Sequence, residues 1–261
     1  MVRFQGSGVI SISALLVSSA LFTPLSITRA QTAFPSEYGI QIIYPPTEDR
    51  GATERTKGSG SRGCGDYIAS DHPTKLAALM PMNNISTTID AQPSIYLYVP
   101  VTKRSQAEFT LYDWTSQNRT PIYQAQLSLT ETAGIVKLTL PKQVQLQSDY
   151  TYAWNFSIYC SNNPQEAYQY VDGWLQPMSL STEQLTKREQ LRQQPLALAQ
   201  FYAQAGIWAD VLDILSHIRY ANPQLWQGFL DSVELGHLAQ YSVVNASQLA
   251  TVDSSKDFIE N

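Results

Sequence analysis

The chain has 261 residues, a formal net charge of −5, and charged side chains at only 15% of its positions. This length is enough for one large domain or two small ones, each with its own hydrophobic core. The content of 15 Tyr and 5 Trp favours β structure. Because the net charge is negative, bulk electrostatics disfavour nucleic acids and anionic membrane surfaces, and we expect no nucleic-acid partner.

The amino terminus has the pattern of a cleavable signal peptide. Arg3 is followed by an uncharged apolar run over residues 9–22, and Pro24 ends this run. Small residues at the −3 and −1 positions predict cleavage after Ala30. The alternative is an uncleaved membrane anchor, but the apolar run is shorter than the roughly 20 residues that span a bilayer. We therefore expect export from the cytoplasm and no stable membrane anchor after processing.

Residues 31–63 are rich in Pro, Gly, Ser, Thr and charges of both signs. Such a composition cannot bury enough apolar area to offset the entropy cost of ordering, so it predicts a disordered linker. A docking motif built on the basic residues of this segment is the alternative.

Cys64 and Cys160 are the two cysteines of the chain. In an oxidising compartment they are candidates for one disulfide bond, which would close a long loop around the central part of the chain. Two independent buried thiols are the alternative reading, because spacing alone does not fix the geometry.

Alternation of apolar and polar residues with a period of two predicts half-buried strands through the region 64–180. The clearest run extends from Tyr150 to Cys160. The other predicted strands lie around 95–99, 108–112, 121–129, 136–140 and 170–175. Six or seven short strands separated by turn-like segments indicate an antiparallel β-sandwich of the immunoglobulin or fibronectin kind.

One local pattern supports a sandwich. Tyr152 follows Leu146 by six residues and precedes Trp154, a spacing that resembles a tyrosine corner, in which a Tyr hydroxyl bonds to upstream backbone. An ordinary core Tyr is the alternative, and either reading makes Tyr152 structural.

Beyond residue 180 the period becomes helical. Ser181 and Gln184 have capping-box spacing at the start of the first predicted helix. Pro195 suits the first turn of the second, and Gly206 suits its end. Asn222 is the predicted N-cap of a later helix. We expect a helical module over 181–240, a flexible tail over 241–261, and an α+β fold class for the whole chain.

The stretch from Leu198 to Pro223 resembles one tetratricopeptide unit. Val211 stands where that repeat has a small residue, and no second copy follows, so we expect a single helical hairpin and not a repeat array. The positions that match are Leu198, Ala199, Tyr202, Gly206, Trp208, Leu215 and Pro223.

The chain as a whole, over roughly residues 58–238, resembles the domain of unknown function 928 family of exported cyanobacterial proteins. The resemblance implies the fold and an extracytoplasmic location, but it implies no activity and no functional residues. It is carried by residues 62–64, 76–81, 95–100, 108–112, 134–141, 150–160, 173–174 and 202–208.

The sequence has no pattern typical of a catalytic site. It lacks a nucleophile elbow and a phosphate-binding glycine loop, and its three histidines suit surface or helix-end positions. Asp66, Asp71 and His72 form one acid–histidine cluster, but its spacing is poor for a metal once Cys64 is in a disulfide. We expect no enzyme activity, no cofactor and no metal.

Five aromatic residues sit opposite, or at the end of, the core-facing positions of the predicted strands and are the candidate binding surface. An exposed aromatic face could stack on sugar rings or contact a protein. The alternative is that cross-strand pairing and the helical module cover it. The residues are Tyr96, Tyr98, Tyr112, Trp114 and Tyr123.

These features predict a non-enzymatic binding or assembly module in the cell envelope, whose partner is another envelope protein. A polysaccharide-binding or carbohydrate-active envelope protein is the alternative, and a periplasmic partner of a membrane sensor is a third possibility. The sequence is compatible with the periplasm, the thylakoid lumen or secretion.

Overall fold

The structure is a computed structural model that describes residues 41–47, 75–102, 106–115, 120–129, 131–159, 167–246 and 251–253. The described part contains ten strands and four α-helices. The strands are β1 (Ala77–Ala78), β2 (Ile85–Thr88), β3 (Ser94–Val99), β4 (Gln106–Asp113), β5 (Thr120–Ser128), β6 (Gly134–Thr139), β7 (Tyr152–Tyr159), β8 (Ala167–Pro177), β9 (Val243–Asn245) and β10 (Thr251–Asp253). The helices are α1 (Thr182–Leu191), α2 (Pro195–Gln204), α3 (Trp208–Ile218) and α4 (Pro223–Asp231), followed by a 3-10 helix at Gly236–Leu238.

The strands form two sheets, one four-stranded with the order β1-β3-β6-β9 and one six-stranded with the order β10-β5-β4-β7-β8-β2. Most neighbours are antiparallel, but β2 with β8 and β6 with β9 are parallel pairs. The expectation of a purely antiparallel arrangement is therefore corrected. Both parallel pairs involve a short edge strand, and alternation in the sequence reports which face is buried and not the direction of a strand.

A hydrophobic core lies between the two sheets. Leu97 of β3 and Val136 of β6 contribute from the four-stranded sheet, and Phe109, Trp154 and Phe156 contribute from the six-stranded sheet. These residues occupy alternate strand positions, as the period of two predicts. The apolar residues of the alternating pattern therefore lie on the inner face of each sheet.

A second core lies on the other face of the four-stranded sheet, where the helices pack. Leu79, Tyr96 and Tyr98 from the sheet side are buried together with Trp208 of α3 and Phe229 of α4. The predicted boundary near residue 180 therefore marks a change of secondary structure but not a boundary between cores. The described residues all belong to one compact unit of the chain.

Two segments assigned by composition to a linker and a tail contribute to the folded body. Ile42 and Tyr44 lie within the predicted linker 31–63, yet they are 2% and 4% exposed and belong to the helical core. The predicted tail supplies β9 and β10, which pair with β6 and β5. Both assignments are corrected at these positions. A few apolar residues in a polar segment give no period, so composition could not reveal their burial.

The helix ends follow the predicted signals with one exception. The Gln184 N–H donates to Ser181 Oγ at 3.2 Å and the Ser181 N–H donates to Gln184 Oε1 at 2.9 Å, which confirms the capping box. Gly206 has a φ of 72°, the left-handed conformation that glycine tolerates after α2. Asn222 occupies the N-cap position of α4, but its side chain makes no capping bond there.

The N-terminus of α3 is capped by a side chain from the sheet. Trp208 N–H donates to Thr87 Oγ1 at 3.0 Å, and the Thr87 hydroxyl donates to the carbonyl oxygen of Gly206. Ile207 occupies the N-cap position but offers no side-chain acceptor. Thr87 on β2 therefore replaces a local cap and fixes α3 against the sheet edge.

Tyr152 has the bond expected for a tyrosine corner. The backbone N–H of Gln147 donates to the Tyr152 hydroxyl at 2.9 Å, while the Tyr152 ring belongs to the core between the sheets. Burial raises the pKa of this hydroxyl, and the bond to Gln147 opposes that shift in part. The residue is structural, as both readings of the sequence required.

No helix in the described ranges is long and apolar enough to cross a membrane. The predicted cleavage site after Ala30 and the predicted partners Cys64 and Cys160 lie outside the described residues.

Candidate ligand-binding face

The outer face of β4, β7 and β8 in the six-stranded sheet is the candidate site, because α3 contacts this sheet mainly at its edge strand β2. Residues on β4, β7 and β8 that alternate with the core positions point to this side. The helical core involves the opposite side of the molecule, beyond the four-stranded sheet. We call this side the aromatic face; it comprises Glu108, Thr110, Tyr112, Trp114, Ala153, Asn155, Ser157, Tyr159, Tyr170, Asp172 and Trp174.

A row of aromatic side chains crosses three adjacent strands. Tyr112 on β4 is opposite Ala153 on β7, which is in turn opposite Trp174 on β8. All three are partly exposed. Since neighbouring strands are about 4.8 Å apart, the backbones at Tyr112 and Trp174 are separated by roughly 10 Å. Ala153 on the strand between them has the smallest side chain of the three.

Trp114, just after the end of β4, contacts Trp174 of β8 and so bridges over β7. Its ring centroid is 5.0 Å from that of Trp174, with an interplanar angle of 87°. In such a T-shaped pair the edge of one ring meets the face of the other. The two partly exposed indoles therefore form an aromatic patch on this side of the sheet.

Polar groups form the neighbouring rows of the face. Thr110, Asn155 and Asp172 are opposite one another on β4, β7 and β8. The Ser157 hydroxyl donates to Asn155 Oδ1 at 2.5 Å, and Tyr159 donates its hydroxyl hydrogen to Glu108 Oε1 at 2.9 Å. Hydroxyl, amide and carboxylate groups thus lie on the rows beside Tyr112 and Trp174.

The charged side chains on the strands of this face are all acidic, and there are few of them. The strands β2, β4, β5, β7 and β8 contain no Lys or Arg. Burial raises the pKa of the Asp172 carboxyl above its ordinary value. Burial, followed by the bond to Glu108, raises the pKa of the Tyr159 hydroxyl. A phosphate, sulfate or carboxylate group of a ligand would find no cationic side chain on these strands.

The five aromatic residues predicted as a binding surface lie on three different sides of the sheets. Tyr112 and Trp114 are on the aromatic face. Tyr96 and Tyr98 are 1% and 0% exposed beneath the helices, so the alternative reading, coverage by the helical module, applies to them. The Tyr123 ring packs from β5 on the core between the sheets, 6.2 Å from Phe109.

Trp174, Tyr159 and Tyr170 complete the face and were not among the predicted surface residues. The signal for Trp174 was present, because it alternates with Gly173 and Leu175 in a predicted strand. Its position opposite Ala153 depends on strand register and cannot be obtained from alternation alone.

A separate polar pocket of about 140 Å³ lies between the four-stranded sheet and α3. Lys137 of β6 forms an ion pair with Asp213 of α3, and its ammonium is 5.7 Å from the centroid of the Tyr96 ring. Tyr96 donates its hydroxyl hydrogen to Asp213 Oδ1 at 2.8 Å. These contacts join the sheet to the helix, so we interpret the pocket as part of the interface between α3 and the four-stranded sheet.

Asp210 makes a second link between α3 and the sheet side. Its Oδ2 accepts hydrogen bonds from Thr88 Oγ1 at 2.9 Å and from the Ile89 N–H at 3.2 Å. Burial raises the pKa of Asp210 to about 6, the two hydrogen bonds oppose that shift, and the nearby charges of Asp90 and Asp213 add to it. Its Oδ2 thus joins α3 to the sheet side, and the residue also lines the polar pocket.

This raised pKa predicts a pH-dependent contribution to stability. Between the ordinary pKa of 3.8 and about 6, folded Asp210 binds more protons than unfolded Asp210. The free energy of unfolding therefore falls as the pH rises through this window, by on the order of 1–3 kcal/mol. Asp210→Asn keeps the acceptor but loses the charge, so its stability relative to the wild type should increase from pH 4 to pH 7. Urea unfolding of both proteins at four pH values measures this difference, and a constant difference would contradict the prediction.

No group of three or more His, Cys, Asp or Glu side chains within the described ranges is arranged to hold a metal ion. The cluster of Asp66, Asp71 and His72 lies outside these ranges. His217 is on the exposed side of α3, where its Nδ1 is 2.7 Å from the carbonyl oxygen of Asp213.

The fold and the face define an α+β protein with two sheets, a helical layer on one of them and an aromatic surface on the other that no described helix covers. The model of the family called Domain of Unknown Function (DUF928) matches residues 57–243, and the chain belongs to this family. The match includes β1 to β8 and all four helices. A comparison with curated proteins gave no significant match.

Proposed function

We propose that this chain is a non-enzymatic binding module of an extracytoplasmic compartment, which holds its ligand or partner on the aromatic face. The observation that carries the proposal is the group of three partly exposed aromatic side chains, Tyr112, Trp114 and Trp174, on one face of the six-stranded sheet. Partly exposed indole rings beside a small residue, on a sheet face that no described helix covers, form a surface on which a ring or an extended chain can stack.

An envelope location is part of this proposal. It is supported by the sequence pattern that predicts signal peptide cleavage after Ala30 and by two cysteines suited to an oxidising compartment. Mass spectrometry of the mature protein should find Gln31 as the first residue and a peptide pair joined through Cys64 and Cys160. An intact leader or two free thiols in the exported protein would contradict this part of the proposal.

The immunoglobulin- or fibronectin-like sandwich and the tetratricopeptide-like hairpin remain part of the proposal as structural interpretations. The shared core of the two sheets and the bond of Tyr152 support the first. The packing of α2 on α3 around Gly206 supports the second.

The binding role can be tested before the ligand is identified. We expect hydroxyl-radical footprinting in an envelope extract to show protection of Tyr112, Trp114 and Trp174. Tyr220, which is 78% exposed on the helical side, is the internal control and should be labelled equally with and without extract. Unchanged labelling of all four residues would refute the proposed function.

An assembly role through the helical module is the second candidate function. A cleft of about 370 Å³ lies beside the exposed Tyr220, next to Trp226 and Tyr241, and the Arg219 guanidinium lies 4.2 Å from the Tyr220 ring centroid. Protection of Tyr220, with the aromatic face labelled as in buffer, would favour this role.

A further inference from the structure

Residues 41–47, which we call the strap, pack on the helical layer although they precede the range that the family model matches. That match begins at residue 57, yet Ile42 and Tyr44 are 2% and 4% exposed and belong to the helical core. The strap is part of no helix or strand, and its first four residues alternate between exposed and buried positions. Every second side chain is therefore an anchor, as in an extended peptide that is bound to a receptor.

Four residues at the ends and on the inner side of the helices hold Tyr44. Its ring is nearly perpendicular to those of Trp208 and Phe229, at centroid distances of 4.9 Å and 6.5 Å. Its hydroxyl donates to the carbonyl oxygen of Gly206 at 2.8 Å, and its backbone N–H donates to Ser232 Oγ at 3.3 Å. We call Gly206, Trp208, Phe229 and Ser232 the strap site.

The two polar groups of the strap site also have partners other than the strap. The Gly206 carbonyl oxygen accepts a second hydrogen bond from the Thr87 hydroxyl. Ser232 Oγ donates to the carbonyl oxygen of Phe229 at 2.7 Å while it accepts from Tyr44. A carbonyl oxygen has two lone pairs, and a hydroxyl both donates and accepts. If the strap left, each group would keep one hydrogen bond, so its departure would expose aromatic rings without stranding these polar atoms.

The sequence of the strap favours the bound conformation before binding occurs. Pro45 and Pro46 follow Tyr44 directly. A residue that precedes proline is restricted to extended backbone, and proline itself has a fixed φ. Less conformational entropy is therefore lost when the segment binds, which raises the affinity of a short peptide. Ile43 between the two anchors is 55% exposed and contributes little to the contact.

We propose that the strap site is a recognition site for an extended peptide with a large aliphatic residue and a Tyr two positions later, and that the strap is its displaceable occupant. Bound in cis, the strap covers Trp208 and Phe229 and competes with any outside peptide. A ligand that is tethered to its own site has an effective concentration on the order of millimolar. An outside peptide therefore binds well only after the anchors of the strap have been removed. This site lies on the helical layer, so the inference is independent of the aromatic face.

The test uses the mature chain with Ile42→Ala and Tyr44→Ala combined, because its own strap then no longer fills the site. The probe is a fluorescein-labelled peptide of residues 41–47, and fluorescence anisotropy measures its dissociation constant. The double variant should bind the probe at least about tenfold more tightly than the wild type does. A probe with Tyr44→Ala should lose at least about tenfold in affinity, because it lacks both the ring and the hydroxyl donor.

A probe with Ile43→Ala is the matched control and should bind like the unsubstituted peptide, since this side chain is exposed in the bound strap. Three outcomes would overturn the proposal: no binding to the folded double variant, equal binding of the Tyr44→Ala probe, or equal affinity for the wild type and the double variant. Circular dichroism shows whether the double variant is folded.

A second protein keeps the test decisive if the double variant does not fold. It has the wild-type strap and a protease recognition sequence in place of residues 58–61, and it is cut after folding, so that the strap is no longer tethered. Uptake of the labelled probe by the cut protein, but not by the uncut protein, supports the proposal. No uptake by the cut protein, or uptake only as the circular dichroism signal of the fold is lost, overturns it.

Discussion

Replacing Trp208 by alanine is expected to lower the free energy of unfolding by about 3–5 kcal/mol, the largest effect of any single substitution proposed for this chain. The indole is 1% exposed at the junction of the helices and the four-stranded sheet. It stacks on Phe229 with 5.0 Å between ring centroids, contacts the edge of Tyr44 at 4.9 Å, and donates from Nε1 to the Leu79 carbonyl oxygen at 3.0 Å. The substitution would leave both a cavity and an unpaired carbonyl.

Two companion variants separate these contributions. Trp208→Phe keeps much of the ring volume but loses the donor, so it should cost about 1–3 kcal/mol. Leu185→Ala on α1, where the side chain is 49% exposed, should change stability by less than about 0.5 kcal/mol. Urea unfolding followed by far-ultraviolet circular dichroism measures all three. If Trp208→Ala costs no more than Leu185→Ala, then Trp208 does not join the helices to the sheet as described.

The second large effect is expected at Gly173, where a Gly→Ala change should destabilise the fold by about 1–3 kcal/mol. A Cβ atom at this position would lie 2.6 Å from Cζ2 and 2.8 Å from Cε2 of Trp154, and 3.0 Å from Cε of Met80. Trp154 is on the neighbouring strand directly opposite Gly173, and its ring is packed in the core between the sheets. The indole therefore occupies the space that any other residue at 173 would need.

The same Gly→Ala substitution at Gly228 should have the opposite effect on stability. It lies inside α4, and a Cβ atom there would meet nothing within 4 Å among the described residues. Gly228→Ala should stabilise the protein by about 0.5–1 kcal/mol through helix propensity and reduced chain entropy. Thermal unfolding of the two variants compares them directly. A stabilising Gly173→Ala would show that Trp154 can move without cost, contrary to the packing described.

Periodicity in the sequence predicted the elements well because it reports which positions are apolar. The change from two-residue to helical period near residue 180 is confirmed, as are the capping box at Ser181 and the helix end at Gly206. Periodicity does not show whether another element covers the polar or aromatic residues on the second face of a strand. All six residues of β3 are buried, although Tyr96 and Tyr98 alternate with the inner residues as they would on an exposed strand.

The candidate site was partly predictable for the same reason. Tyr112 and Trp114 were found from their positions on or just after a strand, but Trp174 joins them only through the register of β4, β7 and β8. Register depends on contacts between residues far apart in the chain, such as Tyr112 and Ala153. The burial of Tyr44 was invisible for a related reason, since its partners Trp208 and Phe229 come more than 160 residues later.

The four-stranded sheet is buried on both faces, which has a consequence for the order in which the chain can fold. The Tyr96 hydroxyl forms hydrogen bonds with Asp213 and Ser216, which follow it by 117 and 120 positions. A chain emerging N-terminus first presents β1 and β3 long before their helical cover arrives, and contacts of such high sequence separation form slowly. Until residues beyond 230 have emerged, one side of this sheet is exposed, and the incomplete chain is most prone to aggregation during that interval.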